Sequence, residues 1–165
     1  LFLFDDDCFP IKAGWAEFFI DAHKTSGQHH FIFLKETPTI KTLWTCKGKD
    51  PYFITEYNNC AGCLMFLTKE VIEKVGGYDE RFGLYGFEHA NFSKRIHMAG
   101  LNTLGEYLCP VDAGEYIYSL DLDNHLPFNR QVNHKPSMEI KEALESINKA
   151  QRIFSQPITQ IYIPL

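Results

Sequence analysis

The chain has 165 residues, 45% of them hydrophobic and 15% aromatic, with 16 basic against 21 acidic side chains and a formal net charge of −5. That composition is enough to bury a core and excludes disordered, collagen-like and coiled-coil chains. Lys and Arg are outnumbered and scattered, so a nucleic-acid partner is not expected. The longest apolar run, Cys60 to Leu67, falls far short of the roughly 20 residues that cross a bilayer, and no transmembrane segment is expected.

In chain order, Leu1 to Phe4 (LFLF) reads as a buried strand that runs into Asp5, Asp6 and Asp7. A buried strand expects neighbours earlier in a chain, and no signal peptide is read here, so we expect these residues to be part of a larger fold. Pro10 and Gly14 bracket a turn, after which Trp15, Phe18, Phe19 and Ala22 recur at helical spacing until Thr25, Ser26 and Gly27. His30 to Leu34 reads as a second strand. Residues 35 to 55 read as a long loop holding a short strand at Ile40 to Trp44. Cys60 to Leu67 follows as a buried strand, then a helix capped by Thr68 with Val71, Ile72 and Val75 on one face, stopped by Gly76 and Gly77. Tyr78 to Phe87 is a Gly-rich aromatic loop that delivers Glu88 and His89 to the start of a helix ending near Met98 and Gly100. Further strands are expected at Asn102 to Leu108 and Glu115 to Leu120, an amphipathic helix at Ile140 to Phe154, and an extended tail. A first unit over 1–135 and a C-terminal one over 136–165 follow from this order.

Five cysteines (Cys8, Cys46, Cys60, Cys63, Cys109) are an odd number, which argues against a disulfide framework and for a reducing compartment. Cys60 and Cys63 form one C-x-x-C with no second pair at zinc spacing, so buried strand cysteines are expected. Three carboxylates at the end of an apolar strand repel one another unless a cation sits among them, and hard oxygen ligands suit Mg²⁺ or Mn²⁺. Asp is also common in turns; three in succession straight after LFLF favour the cation. In the loop, Tyr78, Phe82, Tyr85 and Phe87 offer flat surfaces of the kind sugars stack on, or else pack as a connector. There Asp79 and Glu80 are open to solvent, and Arg81 and Arg95 are placed to pair with carboxylates.

The order LFLFDDD, a short loop and a GW helix, then CAGCLMFLTKEVIEKVGGYDERFGLYGFEHANFSKRIHMAGL, resembles nucleotide-sugar glycosyltransferases of the GT-A fold, particularly glycosyltransferase family 2. The resemblance covers residues 1 to about 120 and is most specific over 60–101. It implies an α/β fold with a GT-A-like, Rossmann-related mixed sheet flanked by helices, here without the N-terminal nucleotide-binding half. It also implies transfer of a hexose or N-acetylhexosamine from a nucleotide-diphosphate sugar to a hydroxyl of a glycan, lipid-linked or protein-linked acceptor, as in polysaccharide biosynthesis. Asp5, Asp6 and Asp7 match the family's Asp-x-Asp motif and, with Gly62, would lie by the donor. Asp5 and Asp7 would bind Mn²⁺ or Mg²⁺, with His125 (or His134) as a further ligand. Tyr85, Gly86, Phe87 and Glu88 would lie by the acceptor. Glu88 matches the first residue of the family's Glu-Asp pair, but His89 stands where the Asp base of inverting members is found. Either Glu88 or His89 is then the base, or the reaction retains configuration and needs none. A cytoplasmic location follows, with any membrane association through segments outside these residues. Two other readings compete. A haloacid dehalogenase-type phosphohydrolase shares an Asp-x-Asp strand, but Cys8, Phe9 and Pro10 replace its small turn. A non-catalytic glycan-binding module on the same scaffold is favoured by His89.

Overall fold

The computed structural model describes residues 1–47, 53–82 and 87–124. The helix expected at Ile140 to Phe154, the tail, His125, His134, Tyr85 and Gly86 lie outside the described residues. In chain order the elements are β1 (Phe2–Phe4), β2 (Cys8–Pro10), α1 (Trp15–Ser26), β3 (His30–Ile32), β4 (Thr42–Lys47), β5 (Phe53–Tyr57), β6 (Leu64–Leu67), α2 (Lys69–Val75), α3 (Glu88–Met98), β7 (Leu108–Pro110), β8 (Ile117–Ser119) and α4 (Leu120–Asp123).

The sheet that matters most has the order β1-β6-β3, with β6 antiparallel to both neighbours. β1 and β3 therefore point the same way, and α1 is the crossover between them, with β6 inserted where a parallel neighbour would otherwise sit. The mixed sheet implied by the family resemblance is not seen among the described residues, where every adjacent strand pair is antiparallel. β1 is half-buried at the sheet edge, where full burial was expected. α1 packs one face on this sheet: Phe19 and Ala22 are fully buried, and Trp15 meets Phe2 edge-on at 4.7 Å and Phe4 at 5.4 Å. Burying a ring such as Phe19 contributes about 1.5–3 kcal/mol. Gly14 and Gly27, at φ +81° and +71°, frame the helix in a conformation that a side chain resists.

The long loop expected over 35–55 contains more order than its Pro and Gly content indicates. β4 and β5 form a hairpin, and β7 adds to β5. Only the last residue of the strand expected at 102–108 is extended. Asn102 instead uses its side chain to stitch the chain to β3: Oδ1 accepts from the His29 and His30 amides at 3.0 Å each, and Nδ2 donates to the His30 carbonyl at 2.8 Å. Thr68 does begin α2, but its hydroxyl lies 3.0 Å from His29 Nδ1 and makes no cap bond. β2 and β8 form a two-stranded ribbon that ties the segment after the aspartates to residues near 118, and Leu120 N donates to the Asp7 carbonyl at 3.1 Å.

His30 joins the sheet to α3. Its ring is fully buried, with Nδ1 2.9 Å from the Phe66 carbonyl and Nε2 2.9 Å from Ser93 Oγ. Burial lowers this imidazole to about 4, against the hydrogen bond to Phe66 and with the help of nearby His89. The unfolded chain binds this proton more readily, so stability is full above pH 6.5 and declines as pH falls towards 4. Urea unfolding across that window should show a loss on the order of 3 kcal/mol, and a His30→Gln variant should show a flatter profile. Equal slopes for the two proteins would remove His30 as the cause.

Candidate functional site

Three segments meet at one edge of the β1-β6-β3 sheet. β1 ends there and delivers Asp5, whose amide donates to the Cys63 carbonyl at 2.9 Å while its own carbonyl accepts from Cys8 N at 3.1 Å. The approach to β6 supplies Gly62. The first turn of α3 supplies Glu88 and His89.

His89 is held from three sides. Its Nδ1 lies 3.1 Å from Glu88 Oε1, and its ring meets Tyr78 edge-on at 5.1 Å. A methyl group built on Gly62 would fall 2.2–2.4 Å from the imidazole ring atoms, so the ring rests directly against the Gly62 backbone. The space expected to leave room for a donor sugar is taken up by His89. Phe87, just before the helix, is half-exposed and held at φ +71°, a region bulky residues rarely enter, while its carbonyl accepts from Asn91 N at 2.8 Å.

Asp5 and Asp6 keep exposed surface, and Asp7 is half-buried. Burial nevertheless raises the Asp5 carboxyl above its ordinary value; His89 opposes the shift, and the charges of Asp7, Asp6 and Glu88 add to it. The aspartates and the start of α3 therefore share one electrostatic environment. Among the described residues no three His, Cys, Asp or Glu side chains converge as a metal cage. Mg²⁺ and Mn²⁺ do not require one, since they are commonly held by one or two carboxylates together with substrate phosphates and water. Repulsion from Asp7, Asp6 and Glu88 is a lesser contribution to the Asp5 shift, after burial, and is of the kind a divalent cation among these carboxylates would relieve.

The aromatic loop behaves differently from expectation. Tyr78 and Phe82 are buried, with Tyr78 Oη 2.9 Å from Met65 Sδ, so both pack inward instead of offering sugar platforms. Asp79 is buried too and takes a two-pronged bond from Arg81. Burial would raise its carboxyl, but the Arg81 bonds bring it below the usual range. Among the described residues Arg95 pairs with no carboxylate: buried to 1% exposure, it donates to the Val75 carbonyl at 3.1 Å, the Gly77 carbonyl at 2.5 Å and Asn91 Oδ1 at 3.0 Å. All five cysteines are free thiols, and Cys8, Cys63 and Cys109 are buried. The Cys8 thiol is pushed up by its hydrogen bond to Cys63 and by burial, and burial raises Cys109 to about 12, so neither is reactive at neutral pH. The packing of His89 on Gly62 has no signal in the sequence beyond the presence of the two residues.

Because burial raises the Asp5 carboxyl in the fold, its ionisation opposes folding, and that cost vanishes as pH falls to the ordinary carboxylate range. Asp5→Asn should therefore raise the melting temperature at pH 7, with the gain shrinking on acidification to pH 4 or below. Scanning calorimetry at several pH values checks this, and a gain independent of pH contradicts it. Gly62→Ala should displace the His89 ring and shift its imidazole resonances while lowering stability by about 1–3 kcal/mol. Unchanged ring resonances would show that the glycine does not seat the histidine.

Residues 44–117, somewhat under half of the chain, match the family described as the N-terminal domain of galactosyltransferase. The matched stretch holds Gly62, Phe87, Glu88 and His89, and begins after the aspartate triplet. No curated protein and no solved structure matches the chain. The family match supports a glycosyltransferase domain, and with it a sugar donor and an acceptor, over the residues that bring α3 to the edge of the sheet.

Proposed function

We propose that this sheet edge is the donor and acceptor side of a GT-A-type enzyme, in the manner of glycosyltransferase family 2, that moves a hexosyl or N-acetylhexosaminyl group from a nucleotide-diphosphate sugar to a hydroxyl. The observation that carries the reading is the meeting of Asp5 with the Glu88–His89 pair, the latter inside the stretch similar to galactosyltransferases. The matched family and the motif resemblance name different glycosyltransferases, and sugar transfer is what they share. Asp5 and Asp7 would hold Mn²⁺ or Mg²⁺, with Asp6 on the donor side. Such a cation would supply charge neutralisation for the departing nucleoside diphosphate.

The contact between Glu88 and His89 also supports different roles for the two residues. With Nδ1 3.1 Å from Glu88 Oε1, a neutral imidazole that donates to this carboxylate keeps its lone pair on Nε2. Nε2 takes the acceptor proton as the hydroxyl attacks, and Glu88 fixes the tautomer and ring orientation. Gly62 is part of this device because it leaves the ring its seat. A base so placed favours inversion of configuration.

Transfer or donor hydrolysis by the full-length polypeptide, measured with a panel of nucleotide sugars and Mn²⁺, tests the reading. Replacing Asp5 and Asp7 together by Ala should abolish metal-dependent turnover. His89→Ala should lower kcat by about 10²–10⁴-fold while metal-dependent donor binding survives. Unchanged turnover after loss of both aspartates would overturn the assignment. Metal-independent saccharide binding without donor binding would instead identify a glycan-binding module.

A further inference from the structure

Beside α3 lies a depression of about 190 Å³ lined by Asn58, Asn59, Phe82, Asn91, Lys94 and Tyr107 together with Phe87 and Ala90. It has room for about six waters, the scale of one sugar ring. In a chain of net charge −5, none of these lining residues is acidic. The carboxamide oxygens are already engaged inside the protein. Asn58 Oδ1 accepts from Lys41 N at 2.7 Å, Asn59 Oδ1 from Cys60 N at 2.9 Å, and Asn91 Oδ1 from Arg95 Nε at 3.0 Å.

Those bonds fix which way each amide is turned and leave the NH₂ groups as the available chemistry. Asn91 is the decisive one. It is 5% exposed, and among the described residues its buried Nδ2 has no hydrogen-bond partner, an uncommon and costly state for a donor. One helical turn on, Lys94 makes no ion pair among the described residues. Amide donors and an ammonium are thus gathered around a small space, with Tyr107 among the residues on its walls.

We infer that this depression is an acceptor subsite for an acidic saccharide, in which a hexuronate carboxylate is held by Lys94 and the Asn91 amide. The inference rests on the sugar-transfer reading, because residues that line the depression and the Glu88–His89 pair share the first two turns of α3. A carboxylate oxygen is the acceptor that Asn91 Nδ2 lacks, and its charge is the one that Lys94 lacks. Asn58 and Asn59 at the rim then serve the ring hydroxyls. A neutral sugar satisfies the amides but leaves the ammonium unpaired.

Calorimetric titration of the full-length polypeptide with methyl glucuronide and methyl glucoside tests the subsite. The glucuronide should bind about tenfold more tightly, and Lys94→Gln should bring the two sugars to within about twofold of each other. Asn91→Asp keeps an acceptor for Arg95 and puts a negative charge on the floor, so it should reverse the preference; circular dichroism confirms that each variant is folded. Equal affinity for the two sugars, or a preference that survives Lys94→Gln, overturns the subsite. Mn²⁺-dependent binding of nucleotide sugars, measured separately, distinguishes the two readings. Its absence with the acid preference intact overturns sugar transfer and leaves the subsite standing, whereas its presence without any acid preference does the reverse.

Discussion

The position of α3 depends on one buried cation. Arg95 is almost wholly enclosed, and its guanidinium donates to carbonyls at the end of α2 and in the turn after it, as well as to Asn91 one helical turn back. Burial lowers this group to about 10, so it remains a cation at neutral pH and must be matched by oxygen atoms wherever it is placed. Polar atoms in a buried site are costly to leave unpaired, so the three acceptors and the helix that bears the guanidinium have little freedom to separate. Glu88 and His89 lie at the N-terminal end of that helix, and their approach to Asp5 follows from where Arg95 anchors it.

A second restraint acts from the sheet. His30 spans β6 and α3 through Phe66 and Ser93, and Asn102 holds the backbone of β3 from the other side. The site is therefore assembled from elements distant in sequence by buried side-chain hydrogen bonds together with the packing of apolar faces. This arrangement leaves little slack where Asp5, Gly62 and His89 converge, which suits a reaction that demands fixed geometry.

Periodicity and punctuation made much of this legible in the sequence. α1, α2 and α3 lie where apolar spacing and glycine stops put them, and the core residues Phe19, Val71, Phe92 and Ile96 are those on their apolar faces. The aspartates and the Glu88–His89 start of α3 stood out because carboxylates after an apolar strand and a Gly-rich run before a helix are unusual locally. Long-range features were not legible. Asn102 looked like part of a strand because its role is to bond to residues some 70 positions away. Arg95 looked like an ion-pair partner because a sequence shows charges and not backbone carbonyls. The hairpin of β4 and β5 was hidden by Pro and Gly in its connection, since pairing between strands can override weak local preference.

Gly62 and His89 divide one small volume between two positions 27 residues apart. The imidazole occupies what a methyl group at position 62 would need, so the two residues are not free to change independently. A shorter acid at position 89 would vacate the seat and make alanine at 62 tolerable, while any larger residue at 62 would first require the histidine to leave. The identity of residue 89 is thus coupled to the smallest residue near it, and an exchange at either position would have to pass through both together.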